Sequence, residues 1–491
     1  MTTDPAGLYA ALVARDARFD GVFYVGVTST GIYCRPVCPA RTPRAANCRF
    51  FDSAEAAERA SFRPCLRCRP ELAPGRAPVD DARRIASLVA HRIDEGLPDD
   101  AAGLEHIAQR FGYSSRQIRR IVQQELGVSP MELVMTRRLL LAKQLLTETA
   151  LPITEVAFAS GFASLRRFND AFSSRYGMPP SRLRRAAGES SAPAARAPQE
   201  TLTLQLAYRP PFDWEELLRF LGARTLRGVE LATADAYART ARIGAHAGWL
   251  RVRHAPERRA LMVELSHALA PALPALLGRL RHLFDLSARP DVVAAHLAGD
   301  PLLAPIVARA PGLRVPGAFD GFELALRAIL GQQVSVKAAT TLAGRVTQAF
   351  GDAITTPHAE LDRVSPTPAR LAAATVDELT ALGLTGARAR SILALAEEVA
   401  SGRLRLEAGA PPERTMAQLV ALPGIGAWTA HYVAMRALRW PDAFPKEDLV
   451  LRRRLGDVTA AAAEARSQAW RPWRSYATLH LWRASAGSVG D

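Results

Sequence analysis

The spacing of apolar residues divides the chain. Ile85, Leu88 and Val89, then Leu104, Ile107 and Ala108, recur at helical intervals and predict a small all-helical domain over 80–186. From Thr201 the period falls to two. Thr201-Leu-Thr-Leu-Gln-Leu206 alternates like a strand, and Trp249-Leu-Arg-Val-Arg253 and Leu261-Met-Val-Glu-Leu265 follow with hairpin-like separation. Helical patterns over Trp214 to Leu221 and Leu273 to Leu286 would cover one face of that sheet, giving an α+β domain over 201–287. Over 288–491 the pattern predicts helices only. Residues 187–200, rich in Ser, Ala and Pro, read as a linker. Residues 1–78 form a separate block that ends in the loop Pro70-Glu-Leu-Ala-Pro-Gly-Arg-Ala-Pro78.

A chain of 491 residues is too long for one core, so a multidomain protein is expected. The net charge of +15 favours a polyanionic partner, nucleic acid before any other. There is no leader-like apolar segment and no 18-residue apolar run, so the expectation is a cytoplasmic, nucleoid-associated protein without a membrane partner.

All five cysteines fall between Cys34 and Cys68. Cys34-x3-Cys38, 26 intervening residues and Cys65-x2-Cys68 offer four thiolates for one tetrahedral zinc, and a block this small can draw folding free energy from the metal. An iron–sulfur centre fits less well, because short multi-cysteine runs are absent. Cys48 stands outside the pattern and is expected to be a buried small hydrophobe. Val27-Thr-Ser-Thr-Gly-Ile-Tyr-Cys-Arg-Pro-Val-Cys-Pro-Ala-Arg41, with Phe62-Arg-Pro-Cys-Leu-Arg-Cys-Arg-Pro70, strongly resembles the N-terminal domain of the bacterial adaptive-response protein Ada. The resemblance implies zinc on Cys34, Cys38, Cys65 and Cys68, with Cys34 accepting a methyl group once from a DNA methylphosphotriester. Arg35, Arg41, Arg44, Arg67 and Arg69 are candidate phosphate clamps.

Leu104 to Ile121 reads as helix, glycine-bearing turn and helix, with Ser114 or Ser115 as the cap, and a similar unit recurs from Ile153 to Phe168. Two such units joined by a long helix, closed by Phe172-Ser-Ser-Arg-Tyr-Gly-Met-Pro-Pro180, resemble the AraC-type DNA-binding domain. By register the base-facing candidates are Ser115, Arg116 and Arg119 in the first unit and Ser164, Arg166, Arg167 and Asn169 in the second. Promoter DNA and RNA polymerase are the partners this resemblance implies. The plainer reading is non-specific DNA affinity.

Leu422-Pro-Gly-Ile-Gly-Ala-Trp-Thr-Ala430 places two glycines where backbone must turn sharply, and amides exposed at such a turn can hold a phosphate. The motif also occurs in DNA-binding proteins that are not enzymes. Ala328-Ile-Leu-Gly-Gln-Gln-Val-Ser-Val336, the hairpin through Tyr432, Phe444-Pro-Lys-Glu-Asp-Leu449 and Trp470 to Ala477 together resemble bacterial 3-methyladenine DNA glycosylase II, a member of the helix-hairpin-helix superfamily. The resemblance implies a TBP-like α+β domain followed by an all-α glycosylase domain. It makes Asp448 the catalytic carboxylate, with Glu447 and Asp442 as competing acids nearby. It also implies a base pocket of Trp428, Tyr432 and Trp482, with Phe322 and Trp473 as weaker candidates. Gln332 and Gln333 would be the wedge, Gly424, Gly426 and Thr429 the backbone grip, and the carbonyls of Val420, Leu422 and Ile425 a Na+ or K+ site. Trp428 stands where strand-nicking relatives carry a lysine, so a monofunctional glycosylase acting on alkylated purines in duplex DNA is expected, with no organic cofactor. A transcription regulator whose glycosylase half only binds DNA is the competing expectation.

Overall fold

The computed structural model describes residues 5–15, 23–51, 53–72, 78–94, 104, 105, 108, 113–188, 200–408 and 410–486. Two compact units emerge, Met1–Ile93 with Leu97–Thr136, and Asp94–Gly96 with Arg137–Asp491. Ile107, the Gly112 turn and linker residues 189–199 lie outside the described residues.

In the first unit, α1 (Pro5–Val13) precedes a four-stranded sheet of β1 (Tyr24–Val27), β2 (Ile32–Cys34), β3 (Cys48–Phe51) and β4 (Arg63–Pro64), in the order β3-β1-β2-β4. Position 26 on the interior strand β1 is glycine because a Cβ there would come within 2.8 Å of the Phe51 ring and 2.9 Å of Phe62. Helix α2 (Ala54–Arg59) starts at Ser53, whose hydroxyl accepts the Ala56 amide. Helices α3 (Pro78–Asp94) and α4 (Ser115–Leu126) follow, and Ile85 and Val89 share a core with Ile118, Ile121 and Val122. Ser114 caps α4 through a reciprocal capping box with Gln117, and Gly127 ends it at φ 76°. The next helix, α5 (Pro130–Glu148), contains the Thr136/Arg137 boundary.

The second unit continues with α6 (Ile153–Ala159), α7 (Leu165–Tyr176) and α8 (Pro180–Gly188). Ser164 caps α7, and Phe162, Phe168, Phe172 and Tyr176 form a chain of ring contacts beneath it. The antiparallel sheet comprises β5 (Thr201–Ala207), β6 (Glu230–Ala232), β7 (Ala236–Ile243), β8 (His246–Ala255) and β9 (Ala260–Ser266), in the order β5-β9-β8-β7-β6. Leu202, Leu204 and Leu206 point into the core from β5, as alternation predicts. Alternation does not mark strands β6 and β7. Arg239 and Thr240 occupy buried positions in β7, and Arg239 reaches Glu323 at 2.8 Å, so polar residues interrupt the hydrophobic signal. Helices α9 (Trp214–Gly222) and α10 (Leu273–Leu283) complete this layer.

The remainder is helical: α11 (Pro290–Leu297), α12 (Ala304–Arg309), α13 (Gly321–Leu330), α14 (Val336–Phe350), α15 (Pro368–Ala372), α16 (Val376–Ala381), α17 (Gly386–Ala400), α18 (Pro412–Val420), α19 (Ala427–Arg436), α20 (Leu449–Arg454), α21 (Ala460–Ser467) and α22 (Arg474–Ala486). The helices-only expectation needs one correction: Asp352–Ala353 pairs with Arg363–Val364 as a two-residue ladder, too short to show a period. One large core centred on α13, α17, α19 and α22 holds these helices together and so fixes the ends of α19 and α20 relative to each other.

Candidate active sites and nucleic-acid interface

Asp448 is the N-cap of α20, its Oδ1 accepting the Leu451 amide at 2.8 Å. The turn before it is closed by the Asp448 amide donating to the Pro445 carbonyl. Two indoles reach the same carboxylate. Trp428 Nε1–H donates to Oδ2 at 2.8 Å and Trp482 Nε1–H to Oδ1 at 3.1 Å. Three donors from three helices therefore set its orientation while further lone pairs stay available. The competing acids are placed elsewhere: Asp442 is buried in a paired contact with Arg474, and Glu447 is exposed on the turn.

Asp448 opens onto a cavity of about 600 Å³ lined by Trp428, Tyr432 and Trp482. Trp428 and Tyr432 stack at 5.2 Å with 9° between planes, and Tyr432 to Trp482 is 6.4 Å. The volume suits a small planar ligand. Phe322 is a core residue and Trp473 packs edge-on to Tyr476, so neither weaker candidate is among the lining residues. Lys446, the lysine two residues before Asp448 and the nearest candidate for a strand-nicking amine, is not among them either.

Sequence reading missed the arginines of this cavity. Arg224 follows α9, stacks over Phe220 at 3.8 Å and bonds its carbonyl, while Arg327 of α13 donates to Thr340. Burial pushes both guanidinium groups below their ordinary value. Burial also raises the Tyr432 phenol, but Arg436, Arg224 and Arg327 outweigh it and the net shift is downward. No motif flags Arg224, since α9 reads as an ordinary sheet-covering helix. On α22, His480 is 3% exposed, and burial reinforced by Arg483 pushes its imidazole down to about 4.

The glycine turn joins α18 to α19. Gly424 has φ 74°, and a Cβ there would sit 2.4 Å from Ser391 Oγ, so both conformation and space require glycine. Gly426 is the N-cap of α19 and supplies no side-chain cap, which leaves the first-turn amides directed outward. Gln332 donates to the Gly424 carbonyl (3.0 Å) and to Thr429 Oγ1 (3.1 Å), and Arg388 holds the Gln332 carbonyl. Gln332 is thus a brace for the hairpin, which departs from the expectation of a wedge. Gln333, exposed and at φ 55°, stands at the tip of the loop. Thr429 is buried with its hydroxyl engaged, so its main-chain amide is the group it can offer a phosphate. Val420 ends α18, and the Leu422 carbonyl accepts the Ile425 amide at 3.3 Å.

In the first unit the Sγ atoms of Cys34, Cys38, Cys65 and Cys68 lie within 4.8 Å of one another. Cys38 and Cys65 are 3.9 Å apart, against about 3.8 Å for sulfurs on one tetrahedral zinc. Four thiols this close compete for protons. Hydrogen bonds from Cys34 and Cys68 push Cys38 down, while that from Cys38 pushes Cys34 up, a conflict that a divalent cation removes. Cys34 lines an apolar cavity of about 340 Å³ together with Arg41 and Arg67, which stay available to a phosphate. Arg35 requires a correction as a clamp: it is fully buried, its amide facing Cys68 Sγ at 3.5 Å and its Nη1 the Cys68 carbonyl. Arg69 is ion-paired with Glu71. Cys48 is half-buried rather than buried, with its thiol 3.4 Å from the Arg44 carbonyl.

Among the DNA-reading candidates, Arg116, Arg119, Arg166 and Arg167 are exposed, while Ser115 and Asn169 are partly exposed. Ser164 Oγ is engaged in capping.

Comparisons with known proteins match four successive stretches of the chain. The metal-binding domain of Ada matches residues 7–71, a helix-turn-helix domain 107–186, the AlkA N-terminal domain 203–320 and the HhH-GPD superfamily of base excision DNA repair proteins 326–474. The DNA-3-methyladenine glycosylase 2 of Escherichia coli is 37% identical over 56% of this chain and 95% of its own. The fold also resembles a 3-methyladenine DNA glycosylase from Archaeoglobus fulgidus, with a TM-score of 0.50 at 21% identity over 56% of this chain and 96% of that one. A Mycobacterium tuberculosis protein described as a probable bifunctional transcriptional activator/DNA repair enzyme AlkA is 40% identical over 96% of this chain and 95% of its own length. With all four domains matched and that identity sustained end to end, the chain belongs to the family of bifunctional transcriptional activator/DNA repair enzymes AlkA.

Proposed function

We propose that this protein repairs alkylated DNA and reports on the damage. Its second unit hydrolyses the N-glycosidic bond of alkylated purines such as 3-methyladenine and 7-methylguanine, flipped from duplex DNA into the aromatic cavity. The observation that carries this reading is the Asp448 carboxylate, fixed by Trp428, Trp482 and Leu451 at the edge of that cavity. As the C1′–N bond breaks, its electron pair leaves with the base, neutralising the charge that alkylation placed there. Asp448 stabilises the cationic sugar and takes the proton of the water that bonds to C1′. The strand stays intact, since Trp428 cannot form a Schiff base and Lys446 is absent from the cavity lining. Gly424, Gly426 and the Thr429 amide hold the backbone, the carbonyls of Val420, Leu422 and Ile425 hold Na+ or K+, and Gln333 fills the gap left by the base.

Cys34 accepts the methyl group of a methylphosphotriester. An S–C bond forms as the C–O bond breaks, and the phosphodiester leaves as an anion. Zinc on the four cysteines would keep the Cys34 sulfur charged at neutral pH. Arg41 and Arg67 face the same cavity and suit the flanking phosphates. The helix-turn-helix residues read promoter DNA, with RNA polymerase as the further partner.

Release of 7-methylguanine and 3-methyladenine from methylated duplex, wild type against Asp448→Asn, tests the enzyme. A folded wild type that binds DNA and releases nothing would leave a regulator whose second unit only scans.

A further inference from the structure

Among the described residues, strand β5 is an edge of its sheet, paired with β9 alone. In an antiparallel pair the main-chain groups of alternate residues face the neighbour or turn away from it. Tyr208 N–H bonds Arg259 and the Glu200 carbonyl accepts from His267, so the even-numbered residues face β9 and the odd-numbered ones face the open edge. At Gln205 that edge is met by two side chains one helical turn apart on α5. Gln144 Nε2 donates to the Gln205 carbonyl at 2.8 Å, and the Gln205 amide donates to Glu148 Oε2 at 3.0 Å. A further bond of 2.9 Å from Gln144 Nε2 to Glu148 Oε2 holds the two side chains together. The pairing is polar-specific: a donor faces the carbonyl and an acceptor faces the amide. A second contact lies nearby, where α6 packs on the 3-10 turn His267–Ala272 and Glu155 Oε2 is 3.0 Å from His267 Nε2. Beyond these contacts, Arg166 and Arg167 on α7 stay exposed, Arg166 at 4.0 Å from Asp170.

We propose that the second helix-turn-helix is docked on the open edge of the repair module's sheet and serves that module as a DNA-holding arm, in addition to any promoter it reads. This rests on the glycosylase reading of the second unit. Held there, α7 meets the duplex at high effective concentration once the glycine hairpin has engaged it, and the two grips reinforce each other. Arg166 and Arg167 then supply phosphate contacts for repair on any sequence.

The full chain carrying Gln144→Glu with Glu148→Lys sets a carboxylate against the Gln205 carbonyl and a cation against its amide. Hydrogen exchange of the Thr201–Ala207 peptide is expected to accelerate, and affinity for a lesion duplex without promoter sequence to fall about fivefold, with kcat at saturating DNA unchanged. Glu148→Gln keeps an acceptor oxygen and is expected to behave as wild type in both. Arg166→Ala with Arg167→Ala, both exposed, is expected to weaken binding about as much while leaving exchange alone. Unchanged exchange in the first variant overturns the docking, and unchanged affinity in the arginine variant overturns the arm. A wild type that releases no base, yet shows these exchange and affinity differences, fails as a glycosylase while the arm stands.

Discussion

The cysteine centre of the first unit and the carboxylate of the second are built in opposite ways. Cys34, the proposed methyl acceptor, is itself part of the core, packed with Leu12, Val25 and the other three cysteines, in a sheet whose longest strands have four residues. Around Asp448 a large hydrophobic core fixes α19, α20 and α22 first, and the carboxylate hangs from their indole and amide donors. The first arrangement merges folding with chemistry and suits a group used once. The second separates them and suits turnover.

Removing the metal tests that contrast most severely. A chelator is expected to withdraw about 10 kcal/mol of zinc-linked folding free energy from the cysteine domain, abolishing methyl uptake by Cys34, while base release stays within about twofold. Mass spectrometry of the Cys34 peptide and a base-release assay on the same sample would show both. Asp448→Asn is the converse, with base release expected to fall at least 100-fold, about 3 kcal/mol, and methyl uptake unaltered. Acid weakens the second unit through its buried imidazoles. Burial keeps His480 neutral down to about 4, while the unfolded chain takes up that proton below about 6.5. Stability is therefore complete above the unfolded value and drains as pH falls from 6.5 towards 4, by up to about 3 kcal/mol. His431, pushed down by burial as well, adds in the same direction. Thermal midpoints of the second unit across that window should drop, and His480→Gln should flatten the slope. Gly424→Ala, forced against Ser391 at positive φ, is expected to cost about 1–3 kcal/mol, read as weaker duplex affinity with zinc binding unchanged.

What could be read from the sequence divides along the same line. The cysteine spacing is a local pattern, and it singles out four residues that the fold gathers at one centre, whereas Asp448 is chosen over Glu447 and Asp442 through the resemblance to glycosylase II, and the bonds from Trp428 and Trp482 appear in the fold alone. Arg224, in the turn after α9, and Arg327, on α13, lie about a hundred residues apart, and nothing in either segment signals a shared cavity. Gln332 and Gln333 look equivalent in sequence. A hydrogen bond to Gly424 makes one a brace, and a positive φ puts the other at the tip. Arg35 resembles its neighbouring arginines, yet burial against Cys68 gives it a structural task. Contacts between distant segments, such as Gln144 with Gln205, leave no periodic trace because they join polar residues.

The dual engagement of Asp448, as the proposed catalytic group and as helix cap, has an evolutionary consequence. Asparagine caps a helix about as well as aspartate, whereas alanine costs about 1 kcal/mol. A lineage that abandons catalysis while keeping the fold therefore meets less resistance through Asn than through Ala at this position. Descendants that kept only DNA scanning should be recognisable by an asparagine or serine where this chain has Asp448, above otherwise intact tryptophans.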